Sequence, residues 1–251
     1  MKLETEYHLL YTNGCSFTNH APQSDSDKWP HHLKNILEIR NVFNHGEGAS
    51  SNSGIFRRTS DFFSKTQVDK SKILAVIQLT YAGRFELPRA DGLRWQSYLP
   101  NFQFPPSESQ NHKDYHEAWI RLIADEPIFE LWHFYNQASA ISNVLRAHNV
   151  DHYFVTMENP TAMFDEPKHH MYNAEFSSTP IDFDQNTIGW LFENISNSLI
   201  EKIIRPANFD QSAKFISAED PHFSANVNYY LAERMADQIR RFDNFKNLKK
   251  N

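Results

Sequence analysis

Apolar residues fall into two alternating rhythms along the chain: short, nearly continuous runs, and longer stretches with one apolar position every three or four residues. The run over 8–13, closed by Gly14, predicts a buried strand stopped by a turn. Trp29, Leu33, Ile36 and Leu37 share one helical face and predict a helix over 29–39. Residues 41–44 read as a second short strand. Over 71–80, Ile73, Leu74, Ala75, Val76, Ile77 and Leu79 are almost unbroken, the pattern of a strand buried on both faces. Residues 125–148 follow as a long amphipathic helix through Ile128, Trp132, Tyr135, Ala138, Ser142 and Leu145, with Pro127 in its first turn and Asn149 suited to end it. A strand over 150–156, a short one over 214–216, and a closing helix over 224–242 on Val227, Leu231, Met235 and Ile239 complete the series.

Strands separated by helices imply a mostly parallel sheet wrapped on both faces, here as one α/β domain spanning 1–251. Two stretches break the rhythm, at about 81–124 and 158–213. Both are rich in Pro, Asn, His and aromatic residues, so they read as insertions at the rim of the sheet. In an open parallel sheet that rim, beyond the carboxyl ends of the strands, is where a ligand binds.

Composition narrows the classes. Hydrophobic residues make up 40% of the 251 positions, which suffices for a core and excludes wholesale disorder. No run of about 18 apolar residues is present to span a bilayer. The first residues are acidic rather than basic, so a secretory leader is not expected and an intracellular setting is. A formal charge of −6, from 25 Lys and Arg against 31 Asp and Glu, gives no footprint for nucleic acid. The single cysteine, Cys15, can form neither an internal disulfide nor a zinc cluster. Aromatic residues, 14% of the chain, read first as core and only secondarily as a sugar- or base-stacking surface.

Asn13-Gly14-Cys15-Ser16-Phe17-Thr18 follows the first strand. A Gly-x-Ser on a strand-to-helix turn sets a hydroxyl at the carboxyl edge of the sheet, near a helix N-terminus whose N–H groups point outward. Such a Ser is a nucleophile if a base stands beside it, and otherwise a helix cap. Glu219-Asp220-Pro221-His222 precedes the last helix. A His behind a nearby carboxylate can take the Ser proton while the carboxylate fixes the imidazole tautomer. Arg57, Arg58, Arg84 and Arg89 could hold an anionic substrate group, although solvated or ion-pair roles are the plainer reading. His112 and His116 share i,i+4 spacing in a loop-like setting without the Glu of a zinc helix, and no metal is assigned to them. The pairs His31-His32 and His169-His170 are weaker still. Asn194-Ile195-Ser196 matches a glycosylation acceptor that matters only in a secreted protein.

Together with Gly46-Glu47-Gly48-Ala49-Ser50-Ser51-Asn52, these segments resemble the SGNH/GDSL hydrolases, whose sequence blocks occur in this order. The resemblance covers roughly 8–80 and 214–240 and leaves both insertions unmatched. It implies a flavodoxin-like three-layer α/β/α sandwich. It maps the nucleophile onto Ser16, with Cys15 where Asp is usual, and the acid–base pair onto Asp220 and His222, with Glu219 as the alternative acid. Phe223-Ser224-Ala225-Asn226 continues that last block. The oxyanion would be held by the backbone N–H groups of Ser16 and Ala49, the latter where the family usually has Gly. The family's Gly-x-Asn-Asp is replaced by Gln78-Leu79-Thr80-Tyr81-Ala82-Gly83-Arg84, so Asn52, or with less support Thr80, is assigned the missing side-chain donor. Four of the seven glycines, Gly14, Gly46, Gly48 and Gly54, lie in or beside these blocks.

The chain is most similar to a Gly-Cys-Ser-Phe-Thr subgroup of phage and bacterial proteins of unassigned substrate. The activity so implied is hydrolysis of an O-acyl ester on a carbohydrate or other small polar molecule, without cofactor or metal. The substrate would be bounded by the aromatic stretches near 95–104 or 132–135. A non-catalytic carbohydrate-binding or assembly protein, and an acyltransferase using the same residues, are the alternatives.

Overall fold

The computed structural model describes residues 6–89, 95–99, 103–106, 108–125, 127–156 and 222–248. Along them run β1 (Leu9–Asn13), α1 (Trp29–Ile36), β2 (Asn41–Asn44), α2 (Asn52–Lys65), β3 (Ile73–Leu79), β4 (Phe85–Pro88), β5 (Trp95–Tyr98), α3 (Gln110–Asp125), α4 (Pro127–Ala147), β6 (Asp151–Thr156) and α5 (Ala225–Leu248). Four of the strands form one sheet in the order β2-β1-β3-β6, and every pairing in it is parallel.

Side chains alternate across a strand, and β3 shows what that does to its sequence. Leu74 and Val76 join a core with Leu10, Tyr153 and Val155 under Trp29 and Leu33 of α1 and Met235, Ala236 and Ile239 of α5. Ile73, Ala75, Ile77 and Leu79 turn the other way, to Tyr11 and Phe154 under Ile55 and Phe63 of α2 and Ala138, Ile141 and Leu145 of α4. Helices cover both faces, so every residue of β3 is buried and the strand reads as an unbroken apolar run. By the same parity Gln78 falls on the α1/α5 side, at the carboxyl end.

Helix ends follow local signals. Asn149 takes φ 54°, the left-handed conformation that closes α4, and Val150 N–H reaches back to Leu145 O at 2.9 Å. The helix expected over 29–39 ends at Ile36, because Glu38 adopts φ 58°. Helix α2 has no counterpart in the periodicity reading. Its first turn, Asn52-Ser53-Gly54, has turn composition, but the Ser51 hydroxyl accepts from Gly54 N–H at 3.1 Å and caps it.

The stretch 81–124 is not simply loop. It contains the antiparallel pair β4·β5 and the helix α3, packed by Phe85, Tyr98 and Trp119. His112 and His116 therefore sit on a helix rather than in a loop. His112 Nδ1 lies 2.9 Å from Tyr98 Oη and 2.8 Å from Glu108 Oε1, and His116 Nε2 lies 2.8 Å from Leu99 O. No helix among the described residues is long and apolar enough to cross a membrane. The expected strand over 214–216, the insertion over 158–213 with His169-His170 and Asn194–Ser196, and the carboxylates Glu219 and Asp220 lie outside the described residues.

Candidate active site

The carboxyl end of β1 leads into a tight turn. Thr18 and Asn19 N–H both donate to Cys15 O, at 2.9 and 3.1 Å. Gly14 makes the turn possible: a Cβ there would lie 2.2 Å from Thr18 Oγ1 and 2.8 Å from Gln78 Cβ, so only hydrogen fits. Thr18 Oγ1 donates to Gln78 Oε1 in a short bond, and the buried Cys15 Sγ lies 3.8 Å from the same oxygen. Ser16 sits part-exposed in the middle of this turn, and its hydroxyl makes no hydrogen bond among the described residues. Ser16 does not cap a helix, contrary to the alternative reading of its sequence. The residue before α1 is Lys28, beyond a 3₁₀ turn at Asp25–Asp27.

A second loop, after β2, is laced to the first. His45 N–H extends the ladder to Thr12 O at 2.7 Å, and Glu47 N–H donates to Gly14 O at 3.1 Å. Side chains add cross-bonds: Asn44 Nδ2 to Thr18 O at 2.9 Å and Asn19 Nδ2 to Gly46 O at 2.9 Å. Ala49 is exposed and takes φ 60°, the left-handed region that favours glycine. The resemblance puts a Gly in this slot, and the backbone has the conformation a Gly would adopt freely.

Asn52 opens α2 almost fully buried. Its Oδ1 accepts from Thr80 N–H at 2.8 Å and its Nδ2 donates to Thr80 O at 3.2 Å, which ties the start of α2 to the end of β3. One Nδ2 hydrogen is thus committed to the main chain. The Thr80 hydroxyl is buried without a hydrogen-bond partner among the described residues.

Beneath both loops lies Arg58, which the sequence offers as an anion binder and the fold uses as a tie. Its Nη1 meets Glu47 Oε2 at 2.8 Å, and its Nη2 donates to Ser50 Oγ at 2.8 Å, Asn13 Oδ1 at 3.2 Å and Gly14 O at 3.3 Å. Asn13 is held in turn by Gly14 N–H and by bonds from its Nδ2 to Ile55 O and Thr59 Oγ1. Arg84 stacks on Tyr81 and donates to Ser50 O at 3.4 Å, while Arg57 pairs with Glu86. Asn13, Thr18, Gln78 and Arg58 form a buried polar layer under the turn that sequence reading did not assign. The one signal for it was Gln78, a lone polar residue in an apolar strand.

The far end of the sequence returns to this turn. The His222 ring stacks on His20 with centroids 3.8 Å apart and lies 4.9 Å from the ring of Phe17, the neighbour of Ser16. Phe223 packs edge-on against Phe17 at 5.0 Å, and Gln23 Nε2 donates to Phe223 O at 2.8 Å. Asn228 of α5 pins the approach by donating to Asp27 O at 3.0 Å and Phe223 O at 3.3 Å. Ser16, Ala49 and Asn52 thus share the carboxyl edge of the sheet, with His222 docked on the Ser16 turn.

No protein-family model and no curated protein matches the sequence. Solved structures do match the fold. The chain is similar to TesA at 12% identity and a TM-score of 0.51, over 93% of this chain and 99% of that one. It is likewise similar to the psychrotrophic esterase EstA from Pseudoalteromonas sp., in a structure inhibited by monoethylphosphonate, at 12% identity and a TM-score of 0.51 over 94% and 99%. AlinE4, an SGNH-hydrolase family esterase, matches at 13% identity and a TM-score of 0.42 over 94% and 96%. The fold shared with TesA and EstA is a parallel sheet between helical layers.

Proposed function

We propose that this chain is a serine esterase that removes an O-acyl group from a carbohydrate or other small polar molecule, with Ser16 as nucleophile. The observation that carries the reading is the Ser16 turn, which holds a part-exposed hydroxyl that no described group engages while His222 packs against the adjacent Phe17. An esterase reading at the level of fold agrees with the similarity to EstA.

In the first half-reaction Ser16 Oγ bonds to the acyl carbon as its proton passes to His222. The C–O bond to the alcohol then breaks, and the departing oxygen takes that proton back from the imidazolium. In the second half-reaction water, deprotonated by His222, attacks the acyl-enzyme; the carboxylic acid leaves and Ser16 recovers its proton. Asp220 holds the imidazole tautomer and stabilises its cation. The oxyanion is met by the N–H groups of Ser16 and Ala49 and by the Asn52 Nδ2 hydrogen not given to Thr80. We also assign the chain to the Gly-Cys-Ser-Phe-Thr subgroup, on the motif at Gly14–Thr18.

A second reading, a non-catalytic glycan-binding protein on the same fold, is favoured by the pair of hydrogen bonds between Asn52 and Thr80, which commits one of the two Nδ2 hydrogens of the side chain assigned to the oxyanion. A fluorophosphonate probe separates the two. Intact mass should show one adduct on the native chain and none on Ser16→Ala or His222→Ala. Ser16→Ala should lower turnover of p-nitrophenyl acetate by on the order of 10⁶ with folding unchanged. A folded native chain that takes no adduct, or a Ser16→Ala variant that stays active, overturns the esterase reading.

A further inference from the structure

Helix α2 has a second face that only Phe56 ties to the core. Ile55, Thr59 and Phe63 are buried under the sheet, while Ser53, Phe56, Arg57, Ser60, Asp61 and Ser64 follow one another at three- and one-residue steps along the opposite side. With Glu86 of β4 and Trp95 of β5 as the facing wall, they enclose a cleft of about 630 Å³. That lies within the range of small-molecule sites, roughly 300–1,000 Å³.

The wall is prebuilt. Arg57 Nε and Nη2 meet the two Glu86 carboxylate oxygens at 3.1 and 3.3 Å, a bidentate pair in which the Glu86 side chain is only 5% exposed. Glu86 reaches that position because residue 54 is glycine: a Cβ there would stand 2.8 Å from Glu86 Oε2. The Arg57 guanidinium lies over the Trp95 ring, 5.1 Å from its centroid. Trp95 is nevertheless 46% exposed, an indole held in place and presented to the cleft.

The chemistry of this lining selects among ligands. Arg57 is already neutralised by Glu86, and Asp61 adds a negative charge beside Lys65, so an anionic ligand meets no free cation among the described lining residues. A wholly apolar ligand would cover the hydroxyls of Ser53, Ser60 and Ser64 without bonding them. A neutral sugar ring satisfies both sides. Its C–H face lies on the indole surface that the Arg57 guanidinium leaves exposed, and its hydroxyls meet serine oxygens and the remaining guanidinium N–H and carboxylate lone pairs.

Position supplies the rest. Ser53 follows Asn52, and Ser51 N–H donates to Ser97 Oγ at 3.3 Å, so the upper end of the cleft lies at the start of α2, on the same edge of the sheet as Ser16. From Ser53 to Ser64 the cleft then runs about 16 Å down α2, at 1.5 Å per residue. We infer that the α2 cleft is a saccharide subsite, with Trp95 as its stacking platform, that holds a neutral oligosaccharide chain outside the reacting centre. Resting on the esterase reading, this makes the substrate an acylated oligo- or polysaccharide rather than a free acylated monosaccharide.

The test uses the full chain carrying Ser16→Ala. Calorimetric titration with hexasaccharides of β-1,4-linked xylose, glucose, mannose and N-acetylglucosamine, to millimolar concentration, should detect binding of at least one. Adding Trp95→Ala should weaken it about tenfold, and Trp95→Phe, which keeps a ring, should retain most of it. Absence of binding to all four, or equal affinity after Trp95→Ala, overturns the subsite. Fluorophosphonate labelling of the native chain keeps the two readings apart. A labelled chain without saccharide binding leaves the esterase standing and removes the subsite, whereas Trp95-dependent binding without labelling keeps the subsite and removes the esterase.

Discussion

The turn layer at the carboxyl edge and the inserted β4·β5·α3 unit are built by opposite means. Under the Ser16 turn the chain buries polar groups, and Asn13, Thr18, Gln78, Ser50 and Arg58 hold one another and the backbone of both loops. In the insertion, Phe85, Tyr98 and Trp119 hold the unit by ring packing, with polar ties at its edges: the Trp119 indole N–H to Gly83 O at 3.0 Å, the His112 and His116 contacts, and the Arg57–Glu86 pair and Ser51–Ser97 bond to α2. Directional bonds fix a backbone to within fractions of an ångström, as the proposed nucleophilic turn needs, and any lost partner leaves a buried group unpaired. Ring packing tolerates adjustment, which suits a wall that shapes a substrate cleft.

The sharpest way to test that contrast is to damage each region and read both stability and reactivity. Trp119→Ala should cost about 3–5 kcal/mol in chemical denaturation, the usual price of truncating a buried Trp. The folded fraction should still react with fluorophosphonate at the native rate; a parallel loss of labelling would mean the insertion also shapes the turn. Arg58→Leu should cost less, about 2 kcal/mol. Glu47 is 66% exposed and returns to water, so the cost comes mainly from the Ser50 and Asn13 oxygens that lose a donor. Labelling should nonetheless fall steeply, since both loops lose their common tie. Unchanged labelling in Arg58→Leu would break the comparison.

Acid should act through the imidazoles. Burial, and then the Arg58 guanidinium, hold His45 below its ordinary value, and burial alone does so for His133. The fold therefore favours the neutral rings, and the unfolded chain binds more protons once the pH drops below about 6.5. Stability should be intact above that pH and decline as pH falls through the depressed folded values. A melting temperature that rises on going from about pH 7.5 to about pH 5.5 would refute this sign. The smallest effect belongs to Ala49→Gly, which relieves a left-handed Ala at the cost of unfolded-state entropy and should raise stability by about 0.5 kcal/mol or less. Labelling should be unaffected, and a destabilised Ala49→Gly would show that the loop depends on the Ala methyl.

Legibility in the sequence divides by the range of the interaction. Strand β3 was readable because a strand covered on both faces writes itself as an unbroken apolar run, and α1 because a covering helix writes itself as a periodic one. Helix α2 is masked at its start, where Asn52-Ser53-Gly54 has turn composition, although Ile55, Phe62 and Phe63 give the helix an apolar face. The hairpin and α3 are masked by the Pro, Asn and His content of 81–124, which reads as loop, although Trp119, Ile120 and Ile123 lie on one face of α3.

By itself the sequence determined the layering and the order of the four sheet strands with α1, α4 and α5, because each is encoded by residues adjacent in the chain. Only the tertiary structure decided that Asn52 grips Thr80, that Arg58 lies buried beneath two loops rather than facing an anion, and that the two ends of the chain meet where His222 packs on Phe17 and His20. It also decided that Arg57, Glu86 and Trp95 form one wall. The physical reason is that a hydrogen bond or ring contact depends on separation in space. Partners far apart in the chain leave no periodic or compositional trace until the sheet brings them within a few ångströms.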